Sequence, residues 1–470
     1  MHNDVQAAIA PVRASLKPFP VNKPAWGSLS SHLWLRISRG FLIAAAAGLV
    51  WRLVRFALHF ELTGDEFNIV RSVLERDYAG LLKPLDYANV SPPGFLWLTK
   101  FMLSVFPCDG GARLLPFLAS LAAMAMSWLI CRDTLRGTAR WAAWAVFCVS
   151  YVPVAEGTRS KGYSIDLLLA AVMLWWLLRW LRERDKHRYL VWLTLCAPVF
   201  IWLSYTAVFI IGAAGLIWAA ALLQSRLRPQ RALEPGARAG VPAFWLWLAS
   251  VALTGVSVLV LYECNIRAAL QRSHAVSLDT SWGAGFPPIK QPWNIPWWLL
   301  TVHTGRGFAW PVGDNHFASS VTFVLWVSGL VVYWRRGNRW IWWLFVTAQV
   351  LSLAAASLQT YPYLANPRIS MFLGPGICLF VGVGIQYWID RQRSDTRRGW
   401  YRFTAVVFLF CAMGGLTRDL AMRVRELKAA GHAPRPSLAA PLAQEPHALS
   451  NGGPATSLVA IRDLLEGRRR

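Results

Sequence analysis

Long apolar runs recur along the chain from Leu33 to Met422, and they constrain the fold more than any other feature. A helix needs about 20 apolar residues to cross a bilayer. Eleven candidate spans can be marked: residues 40–60, 112–131, 141–155, 164–180, 189–203, 206–223, 241–262, 321–334, 340–358, 371–389 and 403–416. Charged residues make up only 15% of the 470, well below the quarter usual in soluble domains, while tryptophan occurs 27 times. These figures exclude a soluble enzyme, a secreted disulfide scaffold and a disordered protein. The expected fold class is an all-α polytopic membrane protein.

The net charge of +24 would suggest nucleic acid in a soluble protein. Here it sorts by linker instead, and no nucleic-acid partner is expected. The N-terminus, 132–140, 179–188, 226–240, 335–339 and 391–402 together hold 25 Lys and Arg. The alternate linkers, 61–113, 156–163, the turn at Ser204, 263–320 and 359–370, hold 12 over a longer stretch. By the positive-inside rule the first set is cytoplasmic and the second faces outward. Alternation holds if Gly94–Phe106, too short to span and carrying Lys100, lies as an amphipathic helix on the outer surface. Residues 1–39 then form a cytoplasmic segment with no cleavable leader. Residues 40–420 form the membrane domain, and 421–470, rich in Ala and Pro, read as a disordered tail. The seven cysteines are scattered without metal or redox spacing and read as small hydrophobes.

Three outward clusters carry possible chemistry. The loop 61–113 begins Glu61-Leu-Thr-Gly-Asp65-Glu66, and later holds Asp86 and Ser91-Pro-Pro-Gly94. A carboxylate desolvated at the membrane surface has a raised pKa and suits a general base; equally, outer loops carry acids without any role. The second cluster is Glu156-Gly-Thr-Arg159-Ser-Lys161-Gly-Tyr163-Ser-Ile-Asp166. Asp166 lies about a turn inside a span, where an acid is usually paired or functional, and Lys161 or Arg159 is its natural partner. Such a cluster suits a phosphate; the plainer reading is an interface belt of Lys, Arg and Tyr. The third, Tyr361-Pro-Tyr363 with Arg368, is either a phosphate clamp or an anchor. The loop 263–320 reads as a lid, with Trp282, Trp293, Trp297, Trp298 and Trp310; its His274, His303 and His316 match no metal spacing.

In these pieces the chain resembles the GT-C glycosyltransferases, in particular family 39 and the RgtA/B/C/D-like group. Their relatives include the protein O-mannosyltransferases and the aminoarabinose transferase of lipid A. The carrying residues are Gly64-Asp65-Glu66-Phe67, Ser91-Pro-Pro-Gly-Phe-Leu-Trp97, Arg113-Leu-Leu-Pro116, Lys161-Gly-Tyr-Ser-Ile-Asp166, and Tyr361-Pro-Tyr363 with Arg368. Across residues 40–390 the resemblance implies a GT-C-type bundle of about eleven spans in the cell membrane, with its active site extracytoplasmic. It implies Asp65 as catalytic base beside Glu66, and a polyprenyl-phosphate sugar as donor to a lipid, glycan or protein acceptor. Arg159, Lys161, Tyr163, Asp166 and Arg368 are then expected near the donor phosphate. No metal is required where cations offset the leaving charge, though a divalent ion is compatible. Two readings compete: a ligase or polymerase of polyprenyl-diphosphate glycans using Arg267, Arg272, His303 and Arg306, and a lipid or solute transporter.

Overall fold

The structure is a computed structural model that describes residues 31–62, 64–85, 90–227, 241–269, 283–311, 317, 319–364 and 366–432. The expectations for residues 1–30, Asp86, Arg272, His274, Trp282 and His316, and for the tail beyond 432, lie outside the described residues. Among the described residues there are fifteen α-helices and no strand. They are α1 (Ser31–Ala57), α2 (Gly64–Glu75), α3 (Pro93–Val105), α4 (Asp109–Thr134), α5 (Gly137–Val149), α6 (Tyr151–Glu156), α7 (Tyr163–Arg182) and α8 (Arg188–Leu203). Then follow α9 (Ala207–Leu227), α10 (Val241–Leu261), α11 (Ile295–Thr304), α12 (Ser320–Arg336), α13 (Arg339–Ser357), α14 (Gly374–Asp390) and α15 (Ser394–His432).

Among the described residues, eight helices are long and apolar enough to cross a membrane: α1, α4, α7, α9, α10, α13, α14 and α15. This is an all-α polytopic membrane protein. The other three expected spans fall on shorter elements. Residues 141–155 are split at Ser150 into α5 and α6, 189–203 form α8, and 321–334 form α12. At about 1.5 Å per residue α5, α8 and α12 measure some 20–26 Å and α6 only about 9 Å, each short of a hydrocarbon core about 30 Å thick. The last helix differs from expectation too. It runs unbroken to His432, beyond the boundary set at residue 420.

The helix α14 is the axis of the bundle, and every residue from Gly374 to Ile385 is buried. Close approach explains its composition. A β-carbon on Gly384 would stand 1.9 Å from the Leu325 carbonyl oxygen, and one on Gly329 of α12 would stand 1.8 Å from that of Phe380. Small residues let membrane helices meet backbone to backbone, where dispersion replaces the hydrophobic drive absent in lipid. On its other side Gly382 packs on Ala143 of α5, and Gln386 Oε1 accepts from the Ala139 amide at 2.8 Å. That bond satisfies one of the orphan donors in the first turn of α5.

The far end of α5 is satisfied from α1. Arg52 is fully buried, and its guanidinium donates to the carbonyls of Cys148 (2.5 Å), Gly48 (3.0 Å) and Phe147 (3.4 Å), and to Ser120 Oγ (3.3 Å). Cys148 and Phe147 lie in the last turn of α5, whose carbonyls lack helical partners. The break at Ser150 is thus sealed by a charge from a neighbouring span. One turn along, Arg55 pairs with Asp419 of α15, itself fully buried, and Trp51 Nε1 donates to the same carboxylate at 2.6 Å. The first and last helices are therefore tied at the end of α1 that leads into the Asp65 loop. At the opposite end a second polar knot forms: Asp133 of α4 receives Trp175 Nε1 at 3.0 Å and pairs with Arg132, Arg179 and Arg182. Cys131, Cys148 and Cys378 are buried as expected, whereas Cys108 and Cys264 are exposed.

Candidate active site at the Asp65 face

The helix α2 opens with Gly64-Asp65-Glu66, so both acids sit in its first turn, where the helix dipole favours negative charge. Neighbouring residues on a helix point about 100° apart. Asp65 accordingly faces out, its side chain 66% exposed, while Glu66 turns inward and is buried. The turn between α6 and α7 arrives from the other side. Lys161 Nζ donates to Asp65 Oδ2 at 2.8 Å, and the Ser160 amide donates to Glu66 Oε1 at 3.2 Å. Two segments some 95 residues apart in sequence are thereby locked acid to turn.

The remaining cations gather around this contact. Arg159 pairs with the buried Glu156 at 2.9 Å, and the charges of Arg159 and Arg368 act on Asp65 as well as on Glu156. The charges of the Glu66 and Asp109 carboxylates bear on Arg113 of α4. Arg113 Nε, Asp109 Oδ1, Glu156 Oε2 and Ser160 Oγ are buried with no hydrogen-bond partner among the described residues. The site thus offers both donors and acceptors to an incoming group.

The electrostatics reverse one expectation. Desolvation was expected to raise the Asp65 pKa. Instead the hydrogen bond from Lys161 holds it below the ordinary carboxylate range, with burial opposing and the charges of Lys161, Arg368 and Arg159 assisting. The raised acid is Glu156, pushed up by burial against the pull of Arg159, Arg368 and Lys161. A second correction concerns Asp166. Neither Lys161 nor Arg159 is its partner, because both are committed to other acids; Asp166 hydrogen-bonds Ser204 at the end of α8. Tyr163 opens α7, close enough for the charges of Asp65, Glu156, Asp166 and Arg368 to bear on it.

The Ser91-Pro-Pro segment is fixed by residues that sequence reasoning passed over. Tyr205 Oη lies 3.1 Å from the Ser91 carbonyl oxygen and 2.5 Å from Asn265 Oδ1, while Asn265 Nδ2 donates to Leu82 O at 2.8 Å. Its helix, α3, falls on the residues 94–106 expected to form one short helix, and Lys100 donates to the carbonyls of Val73 and Arg76 at the end of α2. Arg55, Asp419 and Ser204 were missed likewise, since isolated polar residues in apolar runs give no spacing to read.

The late loop does not assemble a second site among the described residues. Arg267 pairs with Glu263 at 3.0 Å on the surface, and Arg306 is exposed. His303 Nδ1 donates to the Leu299 carbonyl at 2.7 Å, so its Nε2 accepts from Tyr363 Oη at 3.1 Å. Gln349 donates to that same hydroxyl at 2.8 Å, and burial lowers the His303 pKa. This neutral histidine is a latch, joining the lid to the segment that leads to Arg368. The Tyr363 amide adds a bond to Gly285 O at 2.8 Å. No group of three or more His, Cys, Asp or Glu among the described residues can hold a metal.

No family model matches the chain, and no curated protein does. Among solved structures, it is similar to the oligosaccharyltransferase AglB from Archaeoglobus fulgidus in complex with an inhibitory peptide and a dolichol-phosphate. There the TM-score is 0.47 at 11% identity, covering 81% of this chain and 55% of that one. It is also similar to ArnT from Cupriavidus metallidurans bound to undecaprenyl phosphate, with a TM-score of 0.46 at 15% identity, covering 81% and 72%. The chain thus spans little more than half of the archaeal enzyme. Overlaps this partial say nothing of chemistry, which is argued below from side chains.

Proposed function

We propose that the chain is a membrane glycosyltransferase that moves a sugar from a polyprenyl-phosphate donor to an acceptor hydroxyl at the outer membrane face. The observation that carries this reading is the exposed Asp65 held at 2.8 Å by Lys161, with the charges of Arg159 and Arg368 acting on the same carboxylate. One acid is open to a substrate, and three cations surround it. That combination suits proton removal next to a departing phosphate.

The bonds balance without a further reactant. Asp65 takes the acceptor hydroxyl proton, and the acceptor oxygen bonds to the anomeric carbon. The bond from that carbon to the phosphate oxygen breaks, and its electron pair leaves on the phosphate. Lys161 has three N–H donors and spends one on Asp65, so two remain for phosphate oxygens. Arg159 and Arg368 add charge that acts most strongly as the leaving group separates. Glu66 holds the Ser160 amide and so fixes the turn that presents Lys161. Tyr163 and Asp166 line the start of α7, with Asp166 anchored to Ser204. One carboxylate on the reacting face implies inversion.

The test is transfer from a synthetic polyprenyl-phosphate sugar by purified protein in nanodiscs. Asp65→Asn keeps the size and loses the proton acceptor, so turnover falls by about 10²–10⁴-fold while donor binding survives. Unchanged turnover in that variant overturns the assignment.

A further inference from the structure

The structure holds a second cavity. It holds about 510 Å³ between α1, the start of α6, the lid segment at Ala309 and Pro311, and α15. Its size falls in the range of ligand sites. It has no lining residue in common with the acids and cations of the Asp65 site. The walls are Trp51, Val152, Val407, Phe410 and the glycine pair Gly414-Gly415. Phe410 is 74% exposed and Val407 38%, so the cavity opens sideways from a membrane-crossing helix to where bilayer chains run.

Its mouth is cationic. Arg418 lines the cavity, and its guanidinium lies 4.7 Å from the Tyr151 ring centroid, a cation–π arrangement. Asp419, the adjacent acid, is spent on Arg55 and Trp51, and Arg418 has no ion pair among the described residues. An apolar slot under an unpaired arginine at the end of a span complements an anionic amphiphile. We propose that this groove binds one acyl chain of an anionic bilayer phospholipid, with its phosphodiester headgroup held by Arg418. The donor lipid is disfavoured as occupant, because its phosphate belongs beside Asp65 and none of the acids or cations of that site lines this groove. The lipid would touch both α15 and the lid, whose Pro311 carbonyl accepts from the Tyr151 amide at 3.4 Å.

Gly414 supplies a clean probe. A β-carbon there meets nothing within 4 Å, so Gly414→Leu enters the groove and leaves the packing alone. The protein is purified in detergent, exposed to phosphatidylglycerol or phosphatidylcholine, and weighed intact by native mass spectrometry. Wild type is expected to retain one phosphatidylglycerol at least ten-fold better than phosphatidylcholine. Gly414→Leu should lose this retention with an unchanged unfolding midpoint, Arg418→Gln should hold both lipids equally, and Asp65→Asn should behave as wild type. Retention unchanged in both Gly414→Leu and Arg418→Gln overturns the proposal. So does displacement of the bound phosphatidylglycerol by polyprenyl phosphate, which would make the groove part of the donor site. Loss of transfer in Asp65→Asn is read separately, so failure of the lipid site and failure of the functional reading are distinguished.

Discussion

Lys161 and Asp65 face each other at 2.8 Å across the junction of α2 and the turn before α7. The contact does two things at once. It keeps the acid ionised, and it parks a cation where a phosphate would need one. The cost is basicity, since a carboxylate held below its ordinary pKa is a weaker proton acceptor.

That cost is measurable. Lys161→Met removes the bond and the charge that depress the Asp65 pKa, so that pKa rises and the acid limb of the pH–rate profile moves to higher pH. Lys161→Arg should leave the limb near its wild-type position. An acid limb unmoved in Lys161→Met shows that Asp65 does not govern it.

Arg368 is expected to matter in turnover more than in folding. A charged contact to phosphate is worth about 1.5–3 kcal/mol, so Arg368→Ala should lower transfer at limiting donor about ten- to a hundred-fold. Its thermal midpoint should match wild type. Full turnover at limiting donor would leave Arg368 as an interface anchor.

The buried tie between the first and last helices predicts a large stability effect. Asp419→Leu leaves Arg55 charged and buried, a change that costs about 3–5 kcal/mol. The double variant Arg55→Met, Asp419→Leu removes both charges and should recover much of that loss. Unfolding in detergent checks the pair; additive losses would show that the two residues act independently.

Arg52 predicts a second, distinct loss. Arg52→Leu orphans the terminal carbonyls of α5, each costing about 1–3 kcal/mol. The midpoint should fall, and proteolysis should become faster near Ser150. A variant as stable as wild type would mean that those carbonyls find other donors.

Orientation is tested by cysteine labelling in intact cells, after replacing the exposed Cys108 and Cys264. Glu61→Cys should react with an impermeant maleimide, and Arg136→Cys should not. The opposite pattern reverses the topology.

Much of this architecture was legible in the sequence because lipid imposes it. Eight spans follow from length and apolarity, and the short helix at 93–105 follows from Ser91-Pro-Pro and its short run. The pairing of Asp65 and Glu66 with the 156–166 cluster also came through, since both sit at the ends of spans on one face. Which acid meets which cation did not. The natural partner of Asp166 in sequence is Lys161 or Arg159, yet Lys161 reaches Asp65 and Arg159 reaches Glu156. Sequence distance favours local partners, whereas bundle packing decides. Asp419 was invisible for a related reason: a single acid after an apolar run reads as the start of a tail until α1 is seen beside it.

The Arg55–Asp419 tie also bears on how the protein is made. Its partners stand 364 residues apart, so Arg55 enters the bilayer long before its carboxylate has been synthesised. Until α15 inserts, that cation must be shielded by water, lipid headgroups or the insertion machinery. Closure of the bundle around the Asp65 face is therefore a late event in biogenesis. Chains stalled before Asp419 should be recognised as unfinished by membrane quality control.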